Sequence, residues 1–244
     1  MKKKKTDLLV DALILGLVLA IALYFILRCL SGFLQSREYF SVKYIVSNDN
    51  TIDLSYLKGR NIFSLDLEKQ AKGLRAAYPA YNSIRLTRYP PNGVIAEFKK
   101  RAPLAYIKLS RYFLVGEEAV LFDGALKGTD AALPVITGLE SKMLGAKPGM
   151  RYNIKELNLA LELIQRVNST VELKNYKINR INASSADKIS FFIPNNVEIK
   201  IGDNDIAGKV KLLAPLLAHV GRGFSNVKYI DLRFKEPVIK YLDD

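Results

Sequence analysis

The chain has one cysteine, Cys29, and one histidine, His219, in 244 residues, and this scarcity removes several kinds of chemistry at once. A single thiol cannot close an intramolecular disulfide, so the fold must be held by packing. Neither a cysteine–histidine nucleophile nor a multi-histidine metal site can be assembled, which removes most hydrolases. His219 is expected in the last turn of a helix, where a cation or a carbonyl-bonded imidazole is favoured for structural reasons. No G-x-x-x-x-G-K-[ST] or G-x-G-x-x-G phosphate loop occurs, and the S-x-x-K strings at Ser55–Lys58, Ser185–Lys188 and Ser225–Lys228 come without the S-D-N and K-T-G strings that accompany a serine–lysine site, so neither a nucleotide site nor a serine–lysine acyl transferase is expected. The run Asp203-Asn204-Asp205 lacks the glycine and distal glutamate of a calcium loop and is read as a helix cap. No cofactor, no metal and no catalytic residue are expected, and the chain is not read as an enzyme.

What is abundant is positive charge and, near the start, apolar length. The formal net charge is +13 and the pI about 9.6, which points to an anionic surrounding without saying which. Location decides between the options. Lys2 to Lys5 precede a run from Leu8 to Leu27 that is apolar except for Asp11, close to the roughly 20 residues that cross a bilayer core. The lysines place the N-terminus in the cytoplasm. No A-x-A site follows and Arg28 precedes Cys29, so an uncleaved anchor is expected rather than a signal peptide. Tyr24 and Arg28 suit the far interface, where a ring and a snorkelling guanidinium reach polar surroundings. Residues 1 to 30 hold five basic and two acidic side chains, which leaves about +10 on the outward-facing part. With that topology nucleic acid is not expected as a partner. The clusters Lys99-Lys100-Arg101 and Arg85/Arg88 read first as a solvated face, and second as a contact with lipid headgroups or wall polymer.

The organisation predicted is α+β. After a cytoplasmic segment (1–7), a transmembrane helix (8–30) and a connector (31–39) comes a first unit over 40–101. Ser41 to Val46 reads as a strand, Thr51 to Leu57 as a short helical turn ending at Gly59, and Ser64 or Asp66 as the cap of a helix with Leu67, Ala71, Leu74 and Tyr78 on one face. Pro79 ends that helix. Two alternating runs, Ser83–Arg88 and Val94–Lys99, flank the turn Tyr89-Pro90-Pro91-Asn92-Gly93. The order is β-α-α-β-β.

A second unit over 102–244 is read as a mixed β domain with flanking helices. Strands are expected at 106–109, 112–115, 120–122, 176–182, 188–193 and 197–201, with Leu133-Pro134-Val135-Ile136-Thr137-Gly138 closing the first group. An amphipathic helix is expected at 153–167, and another from Asp203 or Asp205 to about Val220, stopped by Gly221 and Gly223. In YIDLRFKEPVIKYL (229–242), Ile230, Leu232 and Phe234 alternate with Asp231 and Arg233 as in a half-buried strand, and Val238 to Leu242 reads as a second one. Pro237, lacking an N–H, suits an edge. An edge strand there offers unpaired backbone groups that another chain can complete.

Several strings in order resemble the FtsQ/DivIB family of bacterial cell-division proteins. These are Phe40-Ser41-Val42-Lys43-Tyr44-Ile45-Val46, Arg88-Tyr89-Pro90-Pro91-Asn92 followed by Val94 to Phe98, Arg101-Ala102-Pro103-Leu104-Ala105, Tyr112-Phe113-Leu114-Val115, the 133–138 string and Ile230-Asp231-Leu232-Arg233-Phe234. Departures are Lys100 in place of the acidic residue before the arginine, and Val115-Gly116-Glu117-Glu118-Ala119 where the family string is V-D-x-x-G. The resemblance implies that residues 40–101 are a POTRA domain, a small module that docks other proteins, and that 102–244 are the family's β domain. It implies a non-enzymatic, single-pass scaffold in the cytoplasmic membrane at the division septum. Its implied partners are small bitopic coiled-coil proteins of the FtsB/DivIC and FtsL kinds, and through them, indirectly, the septal peptidoglycan synthase. The terminal strand is where such a partner adds a strand of its own. Phe234 is then the aromatic anchor, Val238, Ile239 and Tyr241 line the added strand, and Arg233 and Lys188 face acidic partner residues. The competing reading has Phe234 and Val238 filling the core. The alternative function is a POTRA-bearing component of envelope protein transport or assembly. Its outer-membrane form is disfavoured, since the strands after 102 lack the sustained lipid-facing alternation of a barrel.

Overall fold

A computed structural model of the chain describes residues 2–36, 38–123, 132–221 and 226–242. These form two compact units, Met1–Ala77 with Tyr81–Lys99 and Tyr78–Ala80 with Lys100–Asp244. The fold is α+β, with one apolar N-terminal helix and two sheets.

In the first unit, helix α1 (Lys2–Ser36) contains a stretch, Leu13–Leu34, that is long and apolar enough to cross a membrane and is not buried in the protein. It continues past residue 30, where it was expected to stop. Ser31 to Gln35 contain no proline to break it, so the expected connector is helical as far as Ser36. A three-stranded sheet follows, in the order β1 (Tyr44–Ser47), β3 (Gly93–Lys100), β2 (Tyr81–Tyr89). Strand β1 runs parallel to β3 with Tyr44 opposite Gly93. A Cβ on Gly93 would stand 2.9 Å from the Tyr44 ring, so glycine lets that ring lie across the strand. The short helical turn expected over Thr51 to Leu57 is present as the 3-10 turn Ser55–Leu57, shorter at its start. Asp53 accepts the Ser55 N–H at 2.8 Å and Gly59 at φ 79° turns the chain away, leaving no room for a longer helix. Helix α2 (Leu67–Ala77) begins where expected, with Asp66 accepting the Lys69 N–H at 2.9 Å, and buries Leu67, Ala71 and Leu74. Tyr78, expected on the same face, lies past the helix end and is exposed. Arg88 is no bystander on a solvated face: it donates to the Ile62 and Leu65 carbonyls at 2.6 Å each and ties β2 to the segment before α2.

Among the described residues the second unit has nine strands: β4 (Ala105–Lys108), β5 (Tyr112–Val115), β6 (Leu121–Asp123), β7 (Val135–Thr137), β8 (Arg180–Asn182), β9 (Ser190–Ile193), β10 (Val197–Lys200), β11 (Val227–Asp231) and β12 (Val238–Tyr241). Their order in space is β12-β11-β10-β9-β8-β7-β4-β5-β6. Helix α3 (Lys155–Ser169) carries the chain between the parallel neighbours β7 and β8, and α4 (Ile206–Val220) does the same for β10 and β11. Crossover helices of this kind cover a sheet face. Leu157, Leu161, Ile164 and Val167 of α3 and Val210, Leu213 and Leu217 of α4 share one core with the strands.

The pairing registers align one row of side chains across the sheet. Phe113, Ile107, Ile136, Ile181, Phe191, Ile199, Ile230 and Ile239 are successive partners from β5 to β12. All are buried except Ile239, which is half-buried at the end of the row. At about 25 cal/mol per Å2 of apolar surface removed from water, such a row is a main source of the unit's stability.

Two strands are shorter than expected. Tyr176 to Asn179 precede β8 as coil, and β9 starts at Ser190 because Ala186–Lys188 form a 3-10 turn. Asp205 caps α4, accepting the Gly208 N–H at 3.0 Å. His219 falls in the last turn of that helix, exposed, as expected. Gly221 follows as its C-cap, while Gly223 lies outside the described residues. At the turn after β5, Ala119 adopts φ 56°, the backbone region that glycine takes more easily. Arg101 pairs with Glu118 of this turn at 2.5 Å and donates to the Pro79 carbonyl at 3.1 Å, so this member of the basic cluster is also a structural tie.

Candidate functional site

The candidate site is the outer edge of β12 and the segment that leads into it. Strand β12 ends the sheet, and among the described residues no strand pairs on its far side. It is held antiparallel to β11 by the pairs Asp231–Val238, Ile230–Ile239 and Tyr229–Lys240, with an irregularity before Val227–Tyr241. Alternation along a strand puts Ile239 and Tyr241 on the core-facing side and Val238 and Lys240 on the other. Val238 is 45% and Tyr241 38% exposed, while Ile239 packs against the core cluster.

The segment between the two strands departs from the alternation read in the sequence. Strand β11 ends at Asp231, and both Asp231 and Leu232 are buried. The cause is Arg233, which turns back on its neighbour. Its Nε donates to Asp231 Oδ1 at 2.9 Å and its Nη2 to Oδ2 at 2.6 Å, while the Arg233 N–H also reaches Oδ1 at 3.1 Å. Burial by itself pushes the Asp231 carboxyl up. The hydrogen bonds and positive charge of Arg233 outweigh that and hold it below the usual carboxylate range. The bond to Asp231 in turn raises the Arg233 guanidinium further above its ordinary value. Meanwhile the Leu232 N–H donates to the Lys200 carbonyl at 2.9 Å, so the turn is anchored on β10. Phe234 follows outside any strand, 63% exposed. Leu242, just past β12 and not singled out from the sequence, is also exposed, and its N–H donates to Asn226 at 2.8 Å.

Lys188 is exposed at the end of its 3-10 turn rather than in a strand. Its neighbour Asp187 and Arg233 meet at Gly202, where an added Cβ would stand 3.2 Å from the Asp187 carbonyl oxygen and 3.4 Å from Arg233 Cγ. The two expected cationic residues therefore border one region beside the turn. The opposite sheet face near β12 carries further basic and aromatic groups. Lys200 Nζ lies 3.7 Å from the Tyr229 ring centre and Arg180 Cζ 4.1 Å from that of Phe192, both cation–π contacts. This ladder joins neighbouring strands, and no local sequence signal announces it.

Among the described residues no three His, Cys, Asp or Glu side chains cluster as metal ligands. Asp203 instead pairs with Lys155 at 2.9 Å, and that bond holds its carboxyl below the ordinary value. What the site offers is main-chain hydrogen bonding along an edge, flanked by exposed apolar and aromatic side chains and bordered by cations. That is an arrangement for binding a polypeptide.

Fold and site together define a protein with one helix long enough to span a membrane and an α+β body ending in an open sheet edge. The family model described as "Cell division protein FtsQ/DivIB, C-terminal" matches residues 105–233, from β4 to the turn after β11. Cell division protein FtsQ of Geotalea daltonii is 25% identical over 242 residues, covering 97% of this chain and 86% of the relative. Cell division protein FtsQ of Syntrophotalea carbinolica is 24% identical over 242 residues, covering 94% and 82%. The chain belongs to the FtsQ/DivIB family of cell-division proteins. The model match ends at Arg233, so Phe234 and β12 lie just beyond it.

Proposed function

We propose that this chain is a non-enzymatic scaffold of the bacterial divisome, anchored by α1 with its N-terminus in the cytoplasm and the residues beyond the span outside. Residues 40–101 serve as a POTRA domain that docks other division proteins, and residues 102–244 as the β domain. The β12 edge receives a strand from a small bitopic coiled-coil protein of the FtsB/DivIC kind, with an FtsL-like companion. Through that complex the scaffold is linked to the septal peptidoglycan synthase.

The observation that carries this reading is the end of the apolar row. Ile239 continues a line of buried residues to the last strand and is itself only half-buried. An added strand would extend both the hydrogen-bond ladder and that line, covering Ile239 with an apolar side chain of its own. Phe234 and Val238 are exposed, which favours a docking role over the alternative in which they fill the core. Lys188 and Arg233 then offer positive charge to acidic residues of the incoming chain, with Arg233 oriented by Asp231. The test is a photo-crosslinking amino acid at Val238 or Tyr241 in the full chain in cells. The expected adduct is a small single-span coiled-coil protein, obtained from cells with a midcell band of the scaffold. Crosslinks only to unrelated envelope proteins, with an even envelope distribution, would instead support a transport role.

A further inference from the structure

Where α1 leaves its apolar stretch, the first unit is tied to it. Asn61 Nδ2 donates to the Leu34 carbonyl at 2.9 Å, across 27 residues of chain. This bond fixes the height of the unit above the membrane, given the reading of α1 as a span. If Leu13–Leu34 crosses the core, Leu34 sits at its outer boundary. If the core ends at Leu27, Leu34 lies about 10 Å beyond it at 1.5 Å per residue. With a headgroup layer of roughly 5 to 8 Å on each side, Asn61 lies inside that layer in the first case and a few Å above it in the second, within reach of long side chains.

The residues brought to this level form a two-segment ribbon. Ser41 and Asn61 are bridge partners, the Ile62 N–H donates to the Phe40 carbonyl at 2.9 Å, and the Val42 N–H to the Arg60 carbonyl at 2.9 Å. Its composition suits an interface. Tyr39 is 64% exposed and stacks edge-on against Phe40, and Phe40 against Phe63, with ring centres 5.4 and 5.1 Å apart. Lys43, Lys58 and Arg60 are exposed, against the single acidic side chain Glu38 in residues 38–43 and 58–64. Lys43 stands two residues from Ser41, so strand alternation puts it on the face that Asn61 turns toward α1. Aromatic rings with basic neighbours are the pairing that partitions into the headgroup region of a membrane.

We infer that this ribbon is a lipid-contact surface: Tyr39, Phe40 and Phe63 rest in the headgroup layer while Lys43, Lys58 and Arg60 engage anionic phosphates of the outer leaflet. The unit is thereby seated on the membrane rather than swinging on a loose tether. Tyr39 is near the bilayer by chain connectivity alone, whereas Lys58 to Ser64 reach it only through the fold, so the test reads the latter.

The experiment uses the full chain with Cys29→Ser, in nanodiscs containing headgroup-attached or tail-attached nitroxide lipids. A fluorophore is placed on a cysteine at Ser64, and separately at Leu19 as a control for the span. In discs with anionic lipid, the Ser64 label should be quenched by the headgroup nitroxide. Replacing Lys43, Lys58 and Arg60 by glutamate should cost most of that quenching, because each basic residue near an anionic surface strengthens the contact about five-fold. A Ser64 label that stays fully open to an aqueous quencher in anionic discs, with Leu19 quenched from the tails, overturns the inference and leaves the anchor intact. Undiminished quenching after the charge reversal overturns the phosphate contact. An unquenched Leu19 label would show that the span reading itself has failed.

Discussion

Asp231 is 4% exposed at the end of β11, and its partner Arg233 is the residue that sets the direction of the chain toward Phe234. A buried carboxylate with a bidentate guanidinium is stable only as a pair. The pH dependence follows from its lowered pKa in the fold. A carboxyl whose folded value lies below its unfolded one contributes stability above the unfolded value of about 3.9, and loses it as pH falls through the folded value. Asp231→Asn should therefore lower stability at pH 7 by about 2 kcal/mol, as expected for a charge-assisted hydrogen bond. Thermal melts across pH should show the gap to the parent closing below about pH 4, where protonation removes the same charge. A gap that persists undiminished in acid would assign the effect to shape. Asp231 was read as an outward residue because it alternates with Ile230 and Leu232, and period 2 knows nothing of a side chain two residues on that folds back to bury it. The same pattern puts Phe234 in a strand, whereas it lies outside any strand and is exposed.

At the scale of elements, the parts legible in the sequence are those with local signals. The cap at Asp66, the alternating run at β5, the stripe of Leu157, Leu161 and Ile164 on α3 and the cap at Asp205 all sit where propensity and periodicity put them. The parts that escaped depend on distant pairing. The row from Phe113 to Ile239 exists only once eight strands are in register, and the cation–π pairs on the other face follow from that register. Gly138 shows how a local string encodes a distant contact. It ends the 133–138 string at φ 87°, and a Cβ there would stand 2.6 Å from the Ser184 backbone nitrogen and 2.8 Å from its Cα, beyond the end of β8. Backbone atoms cannot swing aside, so Gly138→Ala should destabilise the second unit by at least about 2 kcal/mol. Gly145→Ala is the control. It has φ 70° but nothing within 4 Å of the added Cβ, and should cost about 1 kcal/mol of backbone strain alone. Denaturant melts of both variants measure the difference, and equal losses would remove the contact with Ser184 from the account.

For the molecule as a whole, the proposed function divides the work of a membrane-tethered scaffold between two units. The first holds the Asn61–Leu34 bond to α1 and the aromatic ribbon proposed to rest on the bilayer, and the second carries the edge of β12. The family assignment rests on β4 to β11, the covered and self-paired part of the sheet, whereas binding is assigned to β12, which has one side unpaired among the described residues. A core framework can be shared widely within a family while the edge is fitted to one partner, since main-chain bonds supply affinity and alternate side chains supply specificity. The most direct test is the affinity of the full chain in nanodiscs for the proposed partner, a small bitopic coiled-coil division protein from the same cells, compared between the parent, Phe234→Ala and Val238→Asn. Circular dichroism and melting curves should be unchanged, because both side chains are exposed. Binding should weaken at least about 30-fold, the equivalent of a hot-spot loss of about 2 kcal/mol. Two folded variants that bind as tightly as the parent would contradict the account and move the docking surface away from β12.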